Sequence, residues 1–171
     1  MAADSRTDLL HAVTEGYSPP GEERPLRGYA TLTAVFAGAF LGALAVAERR
    51  GHRLPEGFAT ADVVLIGLAT HKLSRLVTKD RVTSFIRAPF TRYQEPAGYG
   101  EVREAPRGHG LRHSVGELLV CPYCAGQWVA GALVLGHAFA PRHTRLLTAM
   151  WTAHAIADAA QLAYSAAEKR V

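Results

Sequence analysis

Two cysteines three residues apart carry the most specific chemistry in this sequence. Cys121-Pro-Tyr-Cys124 has the form of a redox-active dithiol, in which a helix N-terminus lowers the pKa of the first thiol. Pro122 and the apolar run behind it indicate that a helix starts here, either as a second helix after a stop near Val120 or as a kink. No βαβ pattern of a thioredoxin-like fold surrounds the pair.

A metal site is the second interpretation of the same cysteines. His109, His113, Cys121 and Cys124 offer two imidazoles and two thiolates, which is a sufficient set for tetrahedral zinc. Both histidines lie in a Gly/Pro-rich segment, and the chain has a single cysteine pair. The alternative is structural: two small polarisable side chains pack at a helix start whose entry Pro122 shapes. No cofactor is expected, and zinc is the alternative that these residues suggest.

A third set of ionisable residues lies within apolar runs. His154 and Asp158 are four residues apart and share one helix face, so they are predicted to form an intramembrane polar pair. Such a pair is either a structural hydrogen bond or a site in a proton-coupled or lipid-modifying protein. Asp62 lies close to a turn at Gly57, where it needs no partner.

Four apolar blocks must position these residues, namely 28–47, 58–70, 118–140 and 146–166. The first contains no charge over twenty residues, which is enough to cross a bilayer. Gly38 and Gly42 form a G-x-x-x-G face that suits close helix packing or a homo-oligomer. The predicted fold is an all-α integral membrane protein with four transmembrane helices. Residues 1–27 are predicted to be a polar mobile tail, and 28–171 a four-helix membrane domain with a cytoplasmic loop over 78–116.

Basic residues orient this arrangement. Twelve of the 19 Lys+Arg would lie in the N-terminal tail, the central loop and the C-terminal tail, against five on the other side. Both termini and the loop are therefore predicted to be cytoplasmic in a bacterial cell membrane. The loop would attract anionic headgroups. Nucleic acid is not an expected partner, because no recognised binding module surrounds the arginines.

Within the loop, Ser114-Val-Gly-Glu117 fits a capping box at the start of a helix. The preceding segment 93–110 is rich in Gly and Pro, which predicts irregular, exposed structure. The candidate interface site comprises the charged residues near the two helix ends that flank the loop: Lys72, Arg75, Lys79, Asp80, Arg87 and Glu117.

Two stretches together resemble a known family. HKLSRLVTKDRVTSFIRAPF followed by GELLVCPYCAGQW is similar to the bacterial domain-of-unknown-function family 1360. The matching positions are Lys72, Arg75, Lys79, Asp80, Thr83, Arg87, Pro89, Phe90, Gly116, Glu117, Cys121, Pro122, Cys124 and Trp128. The resemblance implies a small membrane protein with no established reaction, and its pattern does not include His109 or His113.

These observations favour a non-enzymatic function. The sequence predicts a small multi-pass membrane protein that presents a basic loop to headgroups or to a protein partner. The alternatives are a thiol-redox or metal-binding protein that uses Cys121 and Cys124, and a proton-coupled or lipid-modifying protein that uses His154 and Asp158.

Overall fold

The computed structural model describes residues 17–18 and 24–170. This range contains six α-helices, one 3-10 turn and one two-stranded antiparallel sheet. The elements are α1 (Leu26–Arg49), α2 (Thr60–Thr78), the 3-10 turn (Arg81–Thr83), α3 (Ser84–Arg87), β1 (Thr91–Gly98), β2 (Glu101–Pro106), α4 (Gly110–Val120), α5 (Pro122–Phe139) and α6 (Pro141–Glu168). Most of the predicted polar tail 1–27 lies outside the described residues.

The four long helices run in alternating directions. The Phe36 and Trp128 rings are 5.4 Å apart, and His52 Nε2 lies 3.2 Å from the Ala138 carbonyl oxygen, so α1 and α5 run the same way. Helices α2 and α6 run together in the opposite direction, because Asp62 meets Arg145 and Lys72 meets Asp158. The start of α1 and the end of α2 therefore lie at one end of the bundle.

Small polar side chains form the buried face of α6. Thr144, Thr148 and Thr152 recur every four residues on α6 and are all buried. Thr148 Oγ1 donates to the Thr144 carbonyl oxygen at 2.9 Å, and Thr152 Oγ1 donates across to the Leu65 carbonyl oxygen at 3.0 Å. Short hydroxyl side chains whose hydrogen bonds are satisfied let two helix backbones approach closely.

The apolar core is small and lies beside this contact. Ile66, Ala69 and Leu133 are buried together. The partly buried side chains packed against them are Phe58, Leu73, Val129, Val134 and Trp151.

The prediction of four transmembrane helices is wrong. Among the described residues, α1 alone is long and apolar enough to cross a bilayer, and a second span arises only if α4 and α5, bent by 84°, are counted together. The apolar part of α2 is bounded by Asp62 and Lys72, which both form ion pairs with residues of α6. Ten residues of helix rise about 15 Å, half of the bilayer's hydrocarbon thickness. Helix α6 likewise carries Arg145, His154 and Asp158 along its length.

The predicted irregular loop 93–110 is instead largely a β-hairpin. β1 and β2 pair from Thr91 opposite Pro106 to Gly98 opposite Glu101. Tyr99 is at the tip with φ 44°, flanked by two glycines that also have positive φ. The hairpin is joined to the end of α2, because Val102 N–H donates to the Lys79 carbonyl oxygen at 2.9 Å and Arg81 N–H to the Gly100 carbonyl oxygen at 2.9 Å.

The helix break near Cys121 is confirmed and the capping box is wrong. Helix α4 ends at Val120 and α5 begins at Pro122. Helix α4 begins at Gly110, one turn earlier than the predicted cap, so Ser114 lies inside the helix and is fully buried. It faces Gly28, where a Cβ would stand 2.0 Å from Ser114 Oγ. The close approach of α1 to α4 therefore depends on Gly28 having no side chain.

Candidate functional site

A buried arginine organises the segment between α2 and α4. Arg87 is 0% exposed, and its guanidinium donates from Nε to Glu104 Oε2 at 2.7 Å and from Nη2 to Oε1 at 3.2 Å. The same group donates to the carbonyl oxygens of Val77 and Asp80 at 2.8 and 3.0 Å. Only arginine has a planar set of donors that can join a carboxylate and two carbonyls at once. Arg87 thus joins α3 and β2 to the end of α2. Residues 79–107, which follow α2, are called the hairpin module below.

Two further arginines in this region are neutralised by glutamates of the hairpin. Arg75 Nη2 lies 2.7 Å from both carboxylate oxygens of Glu101. Arg103 pairs with Glu95 across the two strands on the exposed face. The candidate residues Lys79 and Asp80 contribute through their carbonyl oxygens, which accept from Val102 N–H and from the Arg87 guanidinium. Sequence reasoning missed Glu101 and Glu104, because no local pattern links them to their partners.

Lys72 forms an ion pair with Asp158, which was predicted to form an intramembrane polar pair with His154. Its Nζ lies 2.7 Å from Asp158 Oδ2, and His154 Nδ1 lies 3.4 Å from Asp158 Oδ1. The lysine side chain is nearly buried between α2 and α6. The carboxylate of Asp158 is therefore occupied by a structural cation. This contact favours the structural interpretation of His154 and Asp158 over a proton-transfer site.

Asp62 is buried at the opposite end of the bundle and has a strong partner that the sequence did not reveal. Arg145 donates to both of its oxygens, from Nε at 2.9 Å and from Nη2 at 2.8 Å. His137 Nε2 lies 3.6 Å from Oδ2. The Arg145 guanidinium is the main reason why the pKa of Asp62 lies below its ordinary value.

The two cysteines lie at the start of α5 as free thiols. Cys124 N–H donates to Cys121 Sγ at 3.2 Å, so Cys121 caps the helix. Cys124 is exposed as a residue, but partial desolvation of its thiol and the neighbouring Cys121 raise its pKa to about 11, and the Glu117 carboxylate adds to this rise. A thiol with a raised pKa is a poor nucleophile at neutral pH. The geometry resembles that of a dithiol motif, but the electrostatics oppose thiolate chemistry at Cys124.

The four residues of the zinc hypothesis do not form one cluster. His109 is exposed at the N-cap of α4, and His113 Nε2 lies 3.8 Å from Glu117 Oε1. Over residues 17–18 and 24–170, no group of three or more His, Cys, Asp or Glu side chains has a geometry that could hold a metal ion.

Arginines without a carboxylate partner surround an exposed apolar segment on the hairpin module. Val82 and Phe85 are each 75% exposed and Ile86 is also exposed, although Arg87 beside them is buried. Arg81 is exposed in the same turn. Arg107 and Arg112 donate to the carbonyl oxygens of Ala88 and Pro89, which leaves their charge uncompensated. Within the described part of the chain none of these three arginines has an acidic partner. Val82, Phe85, Ile86, Arg81, Arg107 and Arg112 are called the basic-apolar patch below.

The predicted helix-packing glycines are open in this structure. A Cβ at Gly38 or Gly42 would meet nothing within 4 Å. Self-association through this face of α1 stays a prediction.

The protein is an α-helical bundle in which an ion-paired hairpin module is inserted between the second and fourth helices. The model of the family described as a protein of unknown function (DUF1360) matches residues 65–164, and the chain belongs to this family. The resemblance stated from the sequence is therefore confirmed. The matched region includes the hairpin module and excludes α1.

Two curated relatives come from Bacillus subtilis (strain 168). Sporulation protein YjcA is 35% identical over 88 residues, which cover 50% of this chain and 75% of the relative. UPF0713 protein YngL is 33% identical over 82 residues, which cover 46% of this chain and 59% of that protein. No solved structure matches this chain.

Proposed function

We propose that this chain is a non-enzymatic, membrane-associated bacterial protein that presents its hairpin module to anionic headgroups at the cytoplasmic face. The observation that carries the proposal is the division of the arginines into two groups. Arg75, Arg87 and Arg103 are neutralised by glutamates, whereas those of the basic-apolar patch are not. A surface that combines uncompensated cations with exposed apolar side chains suits the boundary between headgroups and acyl chains.

The energies of these contacts support a surface interaction. Each basic residue near an anionic membrane contributes about 1 kcal/mol. Fully burying a side chain such as Val, Ile or Phe contributes about 1.5–3 kcal/mol. The hydrogen bonds of Arg87 hold α3 in place, so Phe85 and Ile86 need not lose much backbone freedom on insertion.

Helix α1 supports the membrane association itself. Only 6% of the residues in the most apolar stretch of α1 are buried inside the protein. Val35, Leu41 and Val46 are exposed on this helix. In this proposal lipid covers that surface. The start of α1, the hairpin module and the last turns of α6 lie at one end of the bundle, which we assign to the cytoplasmic side because most of the Lys and Arg residues, including those of the basic-apolar patch, are there.

A depth measurement tests the proposal. In a Cys121→Ser, Cys124→Ser background, a spin label is attached to Phe85→Cys in the chain reconstituted into bilayers containing phosphatidylglycerol. We expect this label to be accessible to oxygen and protected from a water-soluble nickel chelate. A label at Tyr93→Cys on β1, which is exposed but outside the patch, should remain accessible to the chelate.

Two comparisons make the result specific. Protection at position 85 should decrease when phosphatidylcholine replaces the anionic lipid, and again with Arg81→Glu. The proposal is wrong if position 85 is as accessible to the chelate as position 93 in the anionic bilayer.

A further inference from the structure

A cavity of about 620 Å³ opens where α4 and α5 meet at their bend and α1 passes beside them. It lies outside the basic-apolar patch. Its volume is in the range of pockets that enclose small organic ligands. The bend is needed for the cavity, because a straight continuation of α4 into α5 would not leave this space beside α1.

One side of the cavity is apolar and aromatic. Leu32 and Phe36 line it from α1, and Trp128 lines it from α5. The Phe36 and Trp128 rings meet edge to face at 5.4 Å, and a Cβ at Gly131 would stand 2.9 Å from the Phe36 ring. The rings are therefore held in position by packing. Such a wall accepts an alkyl chain and presents ring faces that attract a cation.

A carboxylate lines the cavity from α4. Glu117 Oε2 is buried and accepts no hydrogen bond, and Oε1 lies 3.8 Å from His113 Nε2. Burial and, after it, the adjacent Glu117 carboxylate raise the pKa of Tyr29 to about 12, so the Tyr29 hydroxyl is the neighbouring donor that can approach this carboxylate. The Glu117 side chain as a whole is 35% exposed, which leaves a path for a ligand to reach it. Neither Lys nor Arg is among the residues that line the cavity. A buried carboxylate oxygen without a donor is costly, and a donor supplied by a ligand removes that cost.

We propose that this cavity binds a protonated primary amine attached to an apolar chain. The ammonium donates to Glu117 Oε2, and the chain lies against Leu32, Phe36 and Trp128. Among amphiphiles of the same length, the charge of the head group sets the affinity for the cavity. An anionic head would be repelled by the carboxylate, and an uncharged hydroxyl would bring a donor without the charge. Two sources offer this chemistry, the aminoethyl headgroup of phosphatidylethanolamine and a free alkylamine.

Trp128 provides the readout. The chain has two tryptophans, so Trp151→Phe leaves Trp128, in the wall of the cavity, as the single tryptophan, whose emission is excited selectively at the red edge of its absorption. In a neutral detergent, decylamine should change its emission with saturation, and decanol and decanoate should need at least tenfold higher concentrations. Glu117→Gln should weaken decylamine binding at least tenfold and leave decanol binding unchanged.

A second variant separates ligand binding from a structural role of the carboxylate. Tyr29→Phe removes the neighbouring hydroxyl and keeps the carboxylate, so decylamine should bind as tightly as before or more tightly. If Glu117 served only to hold Tyr29, both variants would have the same effect. Equal binding of decylamine and decanol by the parent chain, or unchanged decylamine binding by Glu117→Gln, would overturn the proposal.

The source of the amine is tested in nanodiscs without added ligand. A change in Trp128 emission when phosphatidylethanolamine replaces phosphatidylcholine, lost in Glu117→Gln, supports the lipid. A response to decylamine alone in both lipids supports a soluble amine, and no response in either contradicts the site. The readout does not involve Phe85, so this site and the proposed headgroup contact can fail independently.

Discussion

Replacing Arg87 by methionine should unfold the hairpin module while the long helices persist. Methionine fills much of the same space but donates nothing, so the Glu104 carboxylate, itself only 5% exposed, stays in the interior without its cation. Removing one partner of a buried ion pair costs about 3–5 kcal/mol. The Val77 and Asp80 carbonyls lose a donor as well. This is a large part of the about 5–15 kcal/mol that stabilises a typical domain.

The measurement is native-state hydrogen exchange of the β1 and β2 amides in detergent micelles. Their protection should decrease by a factor that corresponds to about 3–5 kcal/mol in Arg87→Met. Arg103→Met is the matched control on the same hairpin. Its ion pair with Glu95 is 67% and 52% exposed, and exposed pairs contribute about 1 kcal/mol or less.

A double variant tests the cause of the loss. Adding Glu104→Leu to Arg87→Met removes the orphaned charge, and apolar replacements of a buried pair are often neutral. Most of the protection should therefore return. The reasoning is refuted if Arg87→Met exchanges like the wild type. If the double variant remains as unprotected as the single one, the backbone carbonyls, and not the charge of Glu104, are responsible.

Two further predictions concern other contacts. The pKa of Asp62 is depressed in the folded state, so its contribution to stability is present above the ordinary value of about 4 and is lost as the pH falls through the lower folded value. The melting temperature measured from pH 7 to pH 3 should therefore fall less steeply with acid in Asp62→Asn than in the wild type. An identical fall in the two proteins would contradict the role of Arg145. A Cβ at Gly116 would stand 2.5 Å from the Phe90 carbonyl oxygen, so Gly116→Ala should cost about 1–3 kcal/mol in unfolding free energy. Gly38→Ala, which meets nothing within 4 Å, should not lower the melting temperature.

Local sequence patterns predicted the long helices well. The uncharged run 28–47 lies inside α1, and the predicted start of the loop at residue 78 coincides with the end of α2 at Thr78. The break at Pro122 follows from the ring's missing N–H and fixed φ, which are properties of a single residue. In each case the information is contained within one or two turns of helix.

Long-range pairings could not be predicted in the same way. Arg87 and Glu104 are 17 residues apart, and Asp62 and Arg145 are 83 apart. An apolar run that contains a charged residue can belong to a membrane helix whose charge lies at the bilayer surface. It can equally belong to a bundle helix whose charge pairs with a neighbouring element. The sequence of α2 is compatible with both, so counting apolar residues led to spans where the structure has paired charges.

The hairpin was missed for a different reason. Its strands have no alternation of apolar and polar residues, because only Thr91 in β1 and Val102 in β2 are buried. The short turn Gly98-Tyr99-Gly100 was the available signal. Ion pairs and backbone hydrogen bonds hold the strands against the end of α2, and hydrophobic patterns carry no information about such contacts.

The threonine row on α6 has a consequence for alignment. Thr144, Thr148 and Thr152 present nearly the same surface after a shift of four residues. A slip of α6 along its axis by four residues, about 6 Å, would therefore replace each threonine by the next at little cost in packing. The Asp62–Arg145 and Lys72–Asp158 pairs, near the two ends of the contact between α2 and α6, would both be separated by the same slip. The two ion pairs therefore fix the register of α6 on a repeating surface, as buried polar residues do in coiled coils.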